Sequence, residues 1–401
     1  MLAATKLTYS HEPALAPGEH VIGAFTGDAA GPTLIVVGGL HGNEPAGVEA
    51  LFRVSAELAE LKGPLRGRAY FLAGNTRALL KGARFIDRDL NRHWTSDNLA
   101  AVGTPSLLWR SEGRELTELD RLLDGILITA RSEVYVLDLH STSAAGAAFA
   151  TVGDTLRNRR FAQKFPVTIL LGIEEQLDGT MLEYLNNLGA VTLGFEGGQH
   201  ESPLTVENHV SLVWQALVNA GILSAEDAPD LGEHRPQLSP GPHVSRIVEI
   251  RYREPITADD EFQMEPGIYN FDPITEGQVM ARNRRGPIIA RESGMVLMPL
   301  YQKLGDDGFF IGRRVAPVWL WLSRTLREWK IPRLMHWLPG VTRDLAEYET
   351  LIVNTRVARI FPLQVFHLLG YRKRRWNGAK LVVSRRRHDT DSPFGPQPNF
   401  G

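Results

Sequence analysis

Between Thr33 and about Leu223 the chain alternates short apolar runs with longer stretches of helical spacing. The apolar runs are TLIVVGG, RAYFLAG, EVYVLDLH, PVTILLG and AVTLGFEGG. Each run is almost continuously apolar, which is typical of strands buried on both faces of a largely parallel sheet. The pattern predicts an α/β fold with a mixed, mainly parallel sheet flanked by helices. In open sheets of this kind, ligands bind beyond the carboxyl ends of the strands.

The remaining chain divides at a change in composition. The stretch from Ser224 to Pro240 is rich in Pro, Gly and acidic residues, which indicates a linker and a boundary near residue 235. Short alternating runs from Val244 to Arg314 predict a smaller β-rich domain. From Val318 onward, helical spacing with many aromatics and basic clusters predicts a helical extension. We therefore predict three units, residues 1–232, 236–317 and 318–401.

Composition excludes several kinds of chemistry. The 401 residues include no cysteine, so a metal would have to be held by His, Asp or Glu. A formal net charge of −2 gives no global reason to expect nucleic acid as a partner. The first residues lack a basic start followed by a continuous apolar stretch, and no long apolar window follows, so we expect a cytoplasmic protein.

Two candidate metal ligands lie in GGLHGNEPAG, between the first apolar run and a helix. His41 and Glu44 are three residues apart, and an imidazole nitrogen together with a carboxylate oxygen suits zinc. The flanking glycines permit close backbone approach, so both side chains can face one cleft. On its own, the pair is equally compatible with a solvated histidine and a helix-capping glutamate.

Two further apolar runs end in residues with catalytic chemistry. VYVLDLHSTS places His140 at the carboxyl end of a strand, where a third metal ligand is expected. Asp138 points to the same face and can orient a ligand. VTLGFEGGQH ends in Glu196, which can take a proton from water beside a metal. The alternatives are a polar turn after the strand for His140 and a helix cap for Glu196.

The loop GARFIDRDLNRHW concentrates cations. It contains Arg84, Arg88 and Arg92. One guanidinium can stabilise the oxyanion that develops on a carbonyl, and another can bind a substrate carboxylate through two hydrogen bonds. An exposed charged loop is the alternative interpretation, but Phe85 and Leu90 predict that the loop is anchored.

The motifs HGNEPAG, ARFIDRDLNR, LDLHSTS and FEGG occur in the order seen in the succinylglutamate desuccinylase/aspartoacylase family, relatives of the zinc carboxypeptidases. The chain resembles that family over roughly residues 30 to 315. The resemblance implies a zinc-dependent amidohydrolase with a carboxypeptidase-like catalytic domain over residues 1–232, acting on a small N-acyl amino acid. The implied roles are zinc ligation by His41, Glu44 and His140, carbonyl polarisation by Arg84, substrate-carboxylate contacts by Asn91 and Arg92, and proton transfer by Glu196.

The resemblance also extends to GIYNFDPITEGQVMA, which resembles the family's second-domain signature around a turn that can approach the cleft. It suggests Tyr269 as a weak substrate contact. One departure concerns a second arginine that the family's hydrolases of acidic substrates usually carry shortly before the catalytic glutamate. No arginine occurs between Arg160 and Arg235. We therefore expect an N-acyl substrate other than a doubly acidic one, with an apolar portion.

The second departure is the segment beyond about Val318, which the resemblance does not cover. WLWLSRTLREWK suits a membrane surface or a partner protein, but the same pattern is more often a docked helix with solvated basic residues. We expect it to pack against the body of the protein, and DTDSPFGPQPNFG to be disordered. A homo-oligomer is left open. The competing functions are a metallocarboxypeptidase that trims peptides and a non-catalytic binding module on the same fold.

Overall fold

A computed structural model describes residues 15–61, 63–108, 110–173, 176–228, 238, 246–302, 305–344, 349–354, 363–377 and 380–395. Its strands are β1 (Val21–Thr26), β2 (Thr33–Gly38), β3 (Arg68–Ala73), β4 (Val134–Thr142), β5 (Phe149–Val152), β6 (Thr168–Leu171), β7 (Val191–Gln199), β8 (Ile247–Pro255), β9 (Gln263–Met264), β10 (Pro273–Ile274), β11 (Val279–Asn283), β12 (Gly286–Ile289), β13 (Gly294–Leu297), β14 (Asp307–Arg314), β15 (Val341–Arg343), β16 (Thr350–Asn354), β17 (Tyr371–Asn377) and β18 (Lys380–Arg385). Its α-helices are α1 (Ala46–Glu60), α2 (Thr76–Leu79), α3 (Ser96–Ala100), α4 (Pro105–Leu108), α5 (Ser111–Thr129), α6 (Leu156–Ala162), α7 (Met181–Asn187), α8 (Pro203–Asn219), α9 (Pro317–Glu328) and α10 (Leu363–Leu368).

The largest sheet has the strand order β1-β3-β2-β4-β7-β5-β6-β8-β14-β13-β10. Parallel pairs dominate its middle, joining β3, β2, β4 and β7 on one side and β5, β6 and β8 on the other. Strand β5 runs antiparallel to β7, and the strands toward both edges also pair antiparallel. The predicted mixed α/β sheet flanked by helices is therefore confirmed. The carboxyl ends of β2, β4 and β7 lie side by side.

Strand β2 shows why the apolar runs are continuous. All six of its residues are buried. Leu34 and Val36 pack in the core that contains the apolar faces of α1 and α8, whereas Ile35 and Val37 pack with α5. A Cβ on Gly38 would come within 2.7 Å of the Gly47 carbonyl carbon. Helix α1 therefore lies so close to the end of β2 that only glycine fits there, and this contact fixes the turn between them.

The β-rich part continues the main sheet. Strand β8 pairs in parallel with β6, and β14, β13 and β10 follow it at the edge of the sheet. Strands β12, β11 and β9 form a separate three-stranded sheet. The boundary predicted near residue 235 lies outside the described residues.

The extension after residue 318 differs from the helical prediction. Helix α9 has the expected structure, but β15, β16, β18 and β17 form an antiparallel sheet. The cause is a period-two pattern in TLIVN and KLVVSR, in which Leu351, Val353, Leu381 and Val383 are buried. Such alternation is typical of a strand with one face on a core. The aromatic and basic residues around these runs hide that short pattern.

The extension packs against the first domain through a buried ionic contact. The Arg327 side chain is fully buried, with its Nη1 atom 3.5 Å from Asp154 Oδ1 and 3.4 Å from Asp389 Oδ1. The Leu156 amide donates to Asp389 Oδ1 over 2.9 Å. Removing one partner from such a network typically costs about 3–5 kcal/mol. Packing against the body, as expected for α9, is therefore observed on one face of that helix.

The final stretch also differs from the expectation. Residues 389–395 are described as an ordered segment, with Asp389 buried and Phe394 packed on the core beside α5. Disorder was predicted for all of DTDSPFGPQPNFG, and residues 396–401 of it lie outside the described residues. No helix in the described ranges is long and apolar enough to cross a bilayer.

Candidate metal and catalytic site

The turn between β2 and α1 brings His41 and Glu44 together. Both side chains are buried, and His41 Nδ1 lies 2.9 Å from Glu44 Oε1. The turn has little room, since a Cβ on Gly42 would lie 2.1 Å from the Ala78 carbonyl carbon. The sequence pair is therefore neither a solvated histidine nor a simple helix cap: no side-chain cap was found at the start of α1.

His140 joins this pair from the end of β4. Its Nδ1 atom lies 3.0 Å from Glu44 Oε2, and its Nε2 atom lies 2.7 Å from Asp138 Oδ2. The ligand atoms that His41, Glu44 and His140 can offer all lie within 4.8 Å of one another. Two imidazole nitrogens and one carboxylate oxygen suit zinc, with a position left for water or substrate.

The two histidines share the same surroundings. Each turns Nδ1 toward Glu44, while its Nε2 faces a buried aspartate, Asp89 at 3.2 Å for His41 and Asp138 for His140. A carboxylate on the far nitrogen fixes the ring and its tautomer, as is usual around metal-binding histidines. The role expected of Asp138 therefore has a matching geometry, and Asp89 is the counterpart that the sequence did not indicate.

The charges of this group are strongly coupled. Burial raises the pKa of Glu44, but the neighbouring His41 and His140 outweigh it and hold that pKa well below the usual range. Burial lowers the pKa of His140, yet Asp138 and Glu44 raise it well above its usual value. Both shifts reflect the attraction between the imidazole rings and the carboxylates that surround them.

Glu196 lies beside His140 at the carboxyl end of β7. The two residues are partners in the parallel register of β4 and β7. Within the part of the chain that the structure describes, Glu196 Oε2 is buried and has no hydrogen-bond partner. Burial raises the pKa of Glu196 to about 8, with the nearby Glu44 and Asp138 adding to the rise and His140 opposing it. This carboxyl group is available for proton transfer at the cavity wall.

The cationic loop reaches the same place. Arg84 donates from Nη2 to Asp89 Oδ2 over 2.9 Å, and its Nη1 lies 3.5 Å from Glu44 Oε1. Asn91 Oδ1 accepts a hydrogen bond from the Met181 amide. Leu90 is buried, as the anchoring prediction required, but Phe85 is only partly so.

The loop has a second anchor that the sequence did not indicate. Glu112, on α5, is buried, and its carboxylate accepts from the amides of Ile86, Asp87 and Arg88 over 2.7, 2.9 and 3.3 Å. Through these bonds, one carboxylate on α5 fixes the backbone of the loop. Because Glu112 is distant in sequence, no pattern within the loop predicts them.

One cavity of about 190 Å³ connects these residues. All seven predicted site residues line it, namely His41, Glu44, Arg84, Asn91, Arg92, His140 and Glu196. The first domain supplies most of the remaining lining, and Gln302 and Asp307 of the β-rich domain and Arg386 of the extension also contribute. Arg92 Nη2 donates to Asp307 Oδ2 over 3.0 Å, which ties the loop to β14.

Tyr269 does not line the cavity and is about half exposed. The turn that contains it does approach the cleft, through its neighbour Asn270. The Asn270 amide donates to the Ala145 carbonyl over 3.1 Å, and its side-chain oxygen accepts from the Met298 amide. Asn270 thus joins the end of β4 to the wall of the cavity, and the role suggested for Tyr269 has no support.

Arg386 changes the expectation about cations. It is largely buried, with Nη1 donating to Asn187 Oδ1 over 3.0 Å and Nη2 3.9 Å from Glu183 Oε1. The resemblance places a second arginine shortly before Glu196 in the sequence, where this chain has none. The fold instead brings Arg386, which directly follows β18, to the cavity. The sequence does not indicate this contact, because the extension approaches the cavity only in the folded chain.

A second group of the same residue types lies elsewhere. Among the described residues, His20, Glu115 and Glu118 also offer ligand atoms within 4.8 Å of one another. Arg77 occupies this group, since its Nη1 lies 2.7 Å from both Glu115 Oε1 and Glu118 Oε2. The guanidinium already supplies the positive charge that a metal would bring.

Comparison with known proteins agrees with this site. Residues 30–212 match the model of the succinylglutamate desuccinylase/aspartoacylase catalytic domain. Succinylglutamate desuccinylase of Pseudomonas fluorescens is 32% identical over 111 residues, covering 28% of this chain and 31% of the relative. The rat N-acyl-aromatic-L-amino acid amidohydrolase (carboxylate-forming) is 38% identical over 109 residues, covering 27% of this chain and 33% of the relative. These matches span about a third of each relative.

A longer match and the solved structures extend the likeness. Succinylglutamate desuccinylase of Vibrio cholerae is 23% identical over 310 residues, covering 72% of this chain and 80% of the relative. The crystal structure of a succinylglutamate desuccinylase/aspartoacylase from Rhodobacter sphaeroides has a TM-score of 0.52 at 17% identity, over 73% of this chain and 89% of that one; it shows a shared fold. Over residues 30–212, the chain is therefore similar to the catalytic domain of the succinylglutamate desuccinylase/aspartoacylase family.

Proposed function

We propose that this protein is a zinc-dependent amidohydrolase that cleaves the amide bond of a small N-acyl amino acid. One observation carries the proposal. The buried Glu196 carboxyl, with an oxygen that has no partner in the described residues, lies beside His140 and lines the cavity that His41 and Glu44 also line. A proton-transfer group and a set of metal ligands thus share one small cavity, as metal-assisted hydrolysis requires.

His41, Glu44 and His140 would hold the zinc ion, with Asp89 and Asp138 fixing the two imidazole rings. Zinc, when bound, supplies a Lewis acid that polarises a carbonyl and lowers the pKa of water. Because the rings are already fixed by carboxylates, little rearrangement is needed to receive the ion.

Glu196 would handle the protons. It takes one from the water that attacks the carbonyl carbon and gives it to the amide nitrogen as the carbon–nitrogen bond breaks, so the products are a carboxylic acid and an amine, which leave as carboxylate and ammonium once the second water proton moves between them. A carboxyl group whose pKa is raised by burial is a stronger base than an ordinary glutamate. The same group can therefore act first as base and then as acid.

Arg84 and the neighbouring loop would orient the substrate. Arg84 lies against Glu44 and Asp89, so its remaining donors can stabilise negative charge on the carbonyl oxygen. Arg92 is held by Asp307 and by the Asn91 carbonyl. A substrate carboxylate would add to or replace the Asp307 contact, with the Asn91 side chain alongside.

The acyl group is the part of the substrate that the extension influences. Arg386 gives the cavity a further cation, although Glu183 partly offsets its charge. An acyl group with a polar or anionic end could bind the Arg386 guanidinium, whereas a short alkyl acyl group would be too short and too apolar to do so. The apolar portion expected of the substrate would then contact the part of the cavity lined by Ile173, Leu177 and Leu182.

The test is hydrolysis of a panel of N-acyl amino acids that vary in acyl length, terminal charge and side chain, with zinc content measured in every sample. Turnover should vanish in Glu196→Gln while zinc stays bound. Arg386→Ala should raise KM for acyl groups with an anionic end by about tenfold or more, the loss of one charge-assisted contact. The same substitution should leave short alkyl groups unaffected.

The other outcomes identify the competing functions. Turnover of peptides in place of the panel would indicate a metallocarboxypeptidase, which is disfavoured because Gln302 and Asp307 of the β-rich domain line the same cavity and limit the room for a peptide chain. Zinc-loaded protein that is inert toward both classes would indicate a binding module and would refute the proposal.

A further inference from the structure

Helix α9 exposes large apolar side chains on one face, although Leu320 and Leu326 pack on the cores. Val318, Trp321 and Trp329 fall on one face at helical spacing, and they are 60%, 65% and 72% exposed. The opposite face contains Ser323 and Arg327, which are buried. A surface helix of a soluble protein normally buries its apolar stripe. Packing within the chain therefore does not explain why these apolar side chains are here.

The apolar surface continues beyond the helix. Trp319 is 53% exposed, and in the following 3₁₀ segment, Ile331–Trp337, Leu334 and Trp337 are 45% and 73% exposed. We call the exposed set Val318, Trp319, Trp321, Trp329, Leu334 and Trp337 the tryptophan surface. Half of the eight tryptophans in the chain belong to it, whereas Trp94 and Trp214 are buried in the first domain.

Cations accompany these side chains. Arg324, Lys330 and Arg333 are exposed along the same helix and turn. The whole extension is basic, because residues 318–401 contain 15 Lys and Arg against six Asp and Glu. The rest of the chain contains 29 basic and 40 acidic residues. The extension is thus more basic than the rest of the chain, and the exposed Lys330 and Arg333 beside the tryptophans are complementary to an anionic partner.

We propose that the tryptophan surface docks on the anionic surface of a lipid bilayer. Trp side chains favour the level of the lipid headgroups, and Lys and Arg nearby are attracted to anionic lipids. A protein partner is the weaker explanation, because the cores of protein interfaces are depleted in lysine, whereas Lys330 directly follows the exposed Trp329. The protein lies on the bilayer without crossing it. This inference is independent of the proposed function.

The experiment is flotation of the full chain with vesicles, either of neutral phosphatidylcholine or of phosphatidylcholine containing phosphatidylserine. Binding to the anionic vesicles should exceed binding to the neutral ones and should fall as salt rises. Lys330→Glu with Arg333→Glu should weaken it by roughly twenty-fold or more, given the contribution of each cation near a charged surface. Trp321→Ser with Trp329→Ser should weaken it on both kinds of vesicle.

A matched control separates this surface from general stickiness. Ile128, at the end of α5, is 76% exposed, and Ile128→Ser should bind vesicles as the wild type does. Circular dichroism on heating verifies that each variant is folded. Absence of binding to either vesicle, or equal binding by all variants, overturns the proposal. So does a wild-type dimer that the tryptophan substitutions convert to monomer, since a second copy would then be the occupant.

Discussion

His41, Glu44 and His140 form one cluster of metal-binding residue types, and His20, Glu115 and Glu118 form another within the described chain. In the second, Glu115 accepts hydrogen bonds from the Thr76 amide, the Thr76 hydroxyl, the Arg77 amide and the Arg77 guanidinium. A metal would have to displace all of these donors.

In the first cluster, Glu44 mainly contacts the other two candidate ligands, with the Ser141 amide as a further donor. A cation between the two imidazole rings would replace the contacts that Glu44 makes with His41 and His140. Few hydrogen-bond donors of the protein would then lose their acceptor. Short distances between potential ligand atoms are therefore insufficient to identify a metal site. A metal site also needs lone pairs that the protein has not already committed to its own structure.

The largest expected difference is in metal content and turnover. His41→Ala should lose bound zinc and reduce kcat/KM by about a thousandfold or more, because both polarisation and water activation depend on the ion. His20→Ala should retain one zinc per chain and near wild-type turnover. Elemental analysis and the N-acyl amino acid panel measure both. Zinc lost from His20→Ala and kept in His41→Ala would reverse the assignment of the two clusters.

The free energy of unfolding should depend more on the second cluster than on the first. Glu115→Gln should lower the free energy of unfolding by about 3 kcal/mol, since it removes a buried acceptor of four donors and leaves the Arg77 charge less compensated. In metal-free protein, Glu44→Gln should cost less, because His41, His140 and Arg84 each keep an aspartate partner, so the main loss is the charged acceptor of the Ser141 amide. Urea unfolding followed by circular dichroism compares the two. Equal losses would mean that both clusters are structural.

Zinc itself should stabilise only through the first cluster. At a free concentration of a hundred times its Kd, a ligand specific for the folded state adds about 2.7 kcal/mol. Zinc should therefore raise Tm of the chelator-treated wild type and of His20→Ala, and it should leave Tm of His41→Ala unchanged. Calorimetric scans with and without zinc make the measurement. A rise in all three proteins would point to a further site.

The smallest expected effect is a pH dependence at the second cluster. Partial burial raises the pKa of Glu118, but Arg77 lowers it more, so the net pKa is lowered. The pair therefore contributes stability above the unfolded-state pKa, and that contribution is lost as pH falls through the folded-state value. The difference in unfolding free energy between wild type and Glu118→Gln should shrink from neutral pH to about pH 3. A difference that stays constant would remove Glu118 from the network.

The site was largely predictable because its residues end neighbouring strands. His41, His140 and Glu196 follow apolar runs, and parallel neighbours end at one edge of a sheet, so their meeting follows from local pattern and topology. Asp89, Glu112 and Arg386 were missed for a physical reason. Asp89 meets His41 from 48 residues away, and Glu112 and Arg386 also contact segments distant in sequence, so no periodic pattern in the sequence marks these contacts. The sheet after Val341 was missed because its apolar alternation is only a few residues long.

Arg386 lines the cavity, and Asp389 accepts a hydrogen bond from the start of helix α6. Both residues lie far along the chain from the segments that they contact. The ribosome adds residues at about 5–20 per second, so Arg386 is added on the order of ten to forty seconds after Glu196. During that interval the strands that carry His41, His140 and Glu196 can pair, but the cavity lacks one wall and Asp154 lacks Arg327. Substrate selection would thus be the last property that a newly made molecule acquires, after its capacity to bind metal.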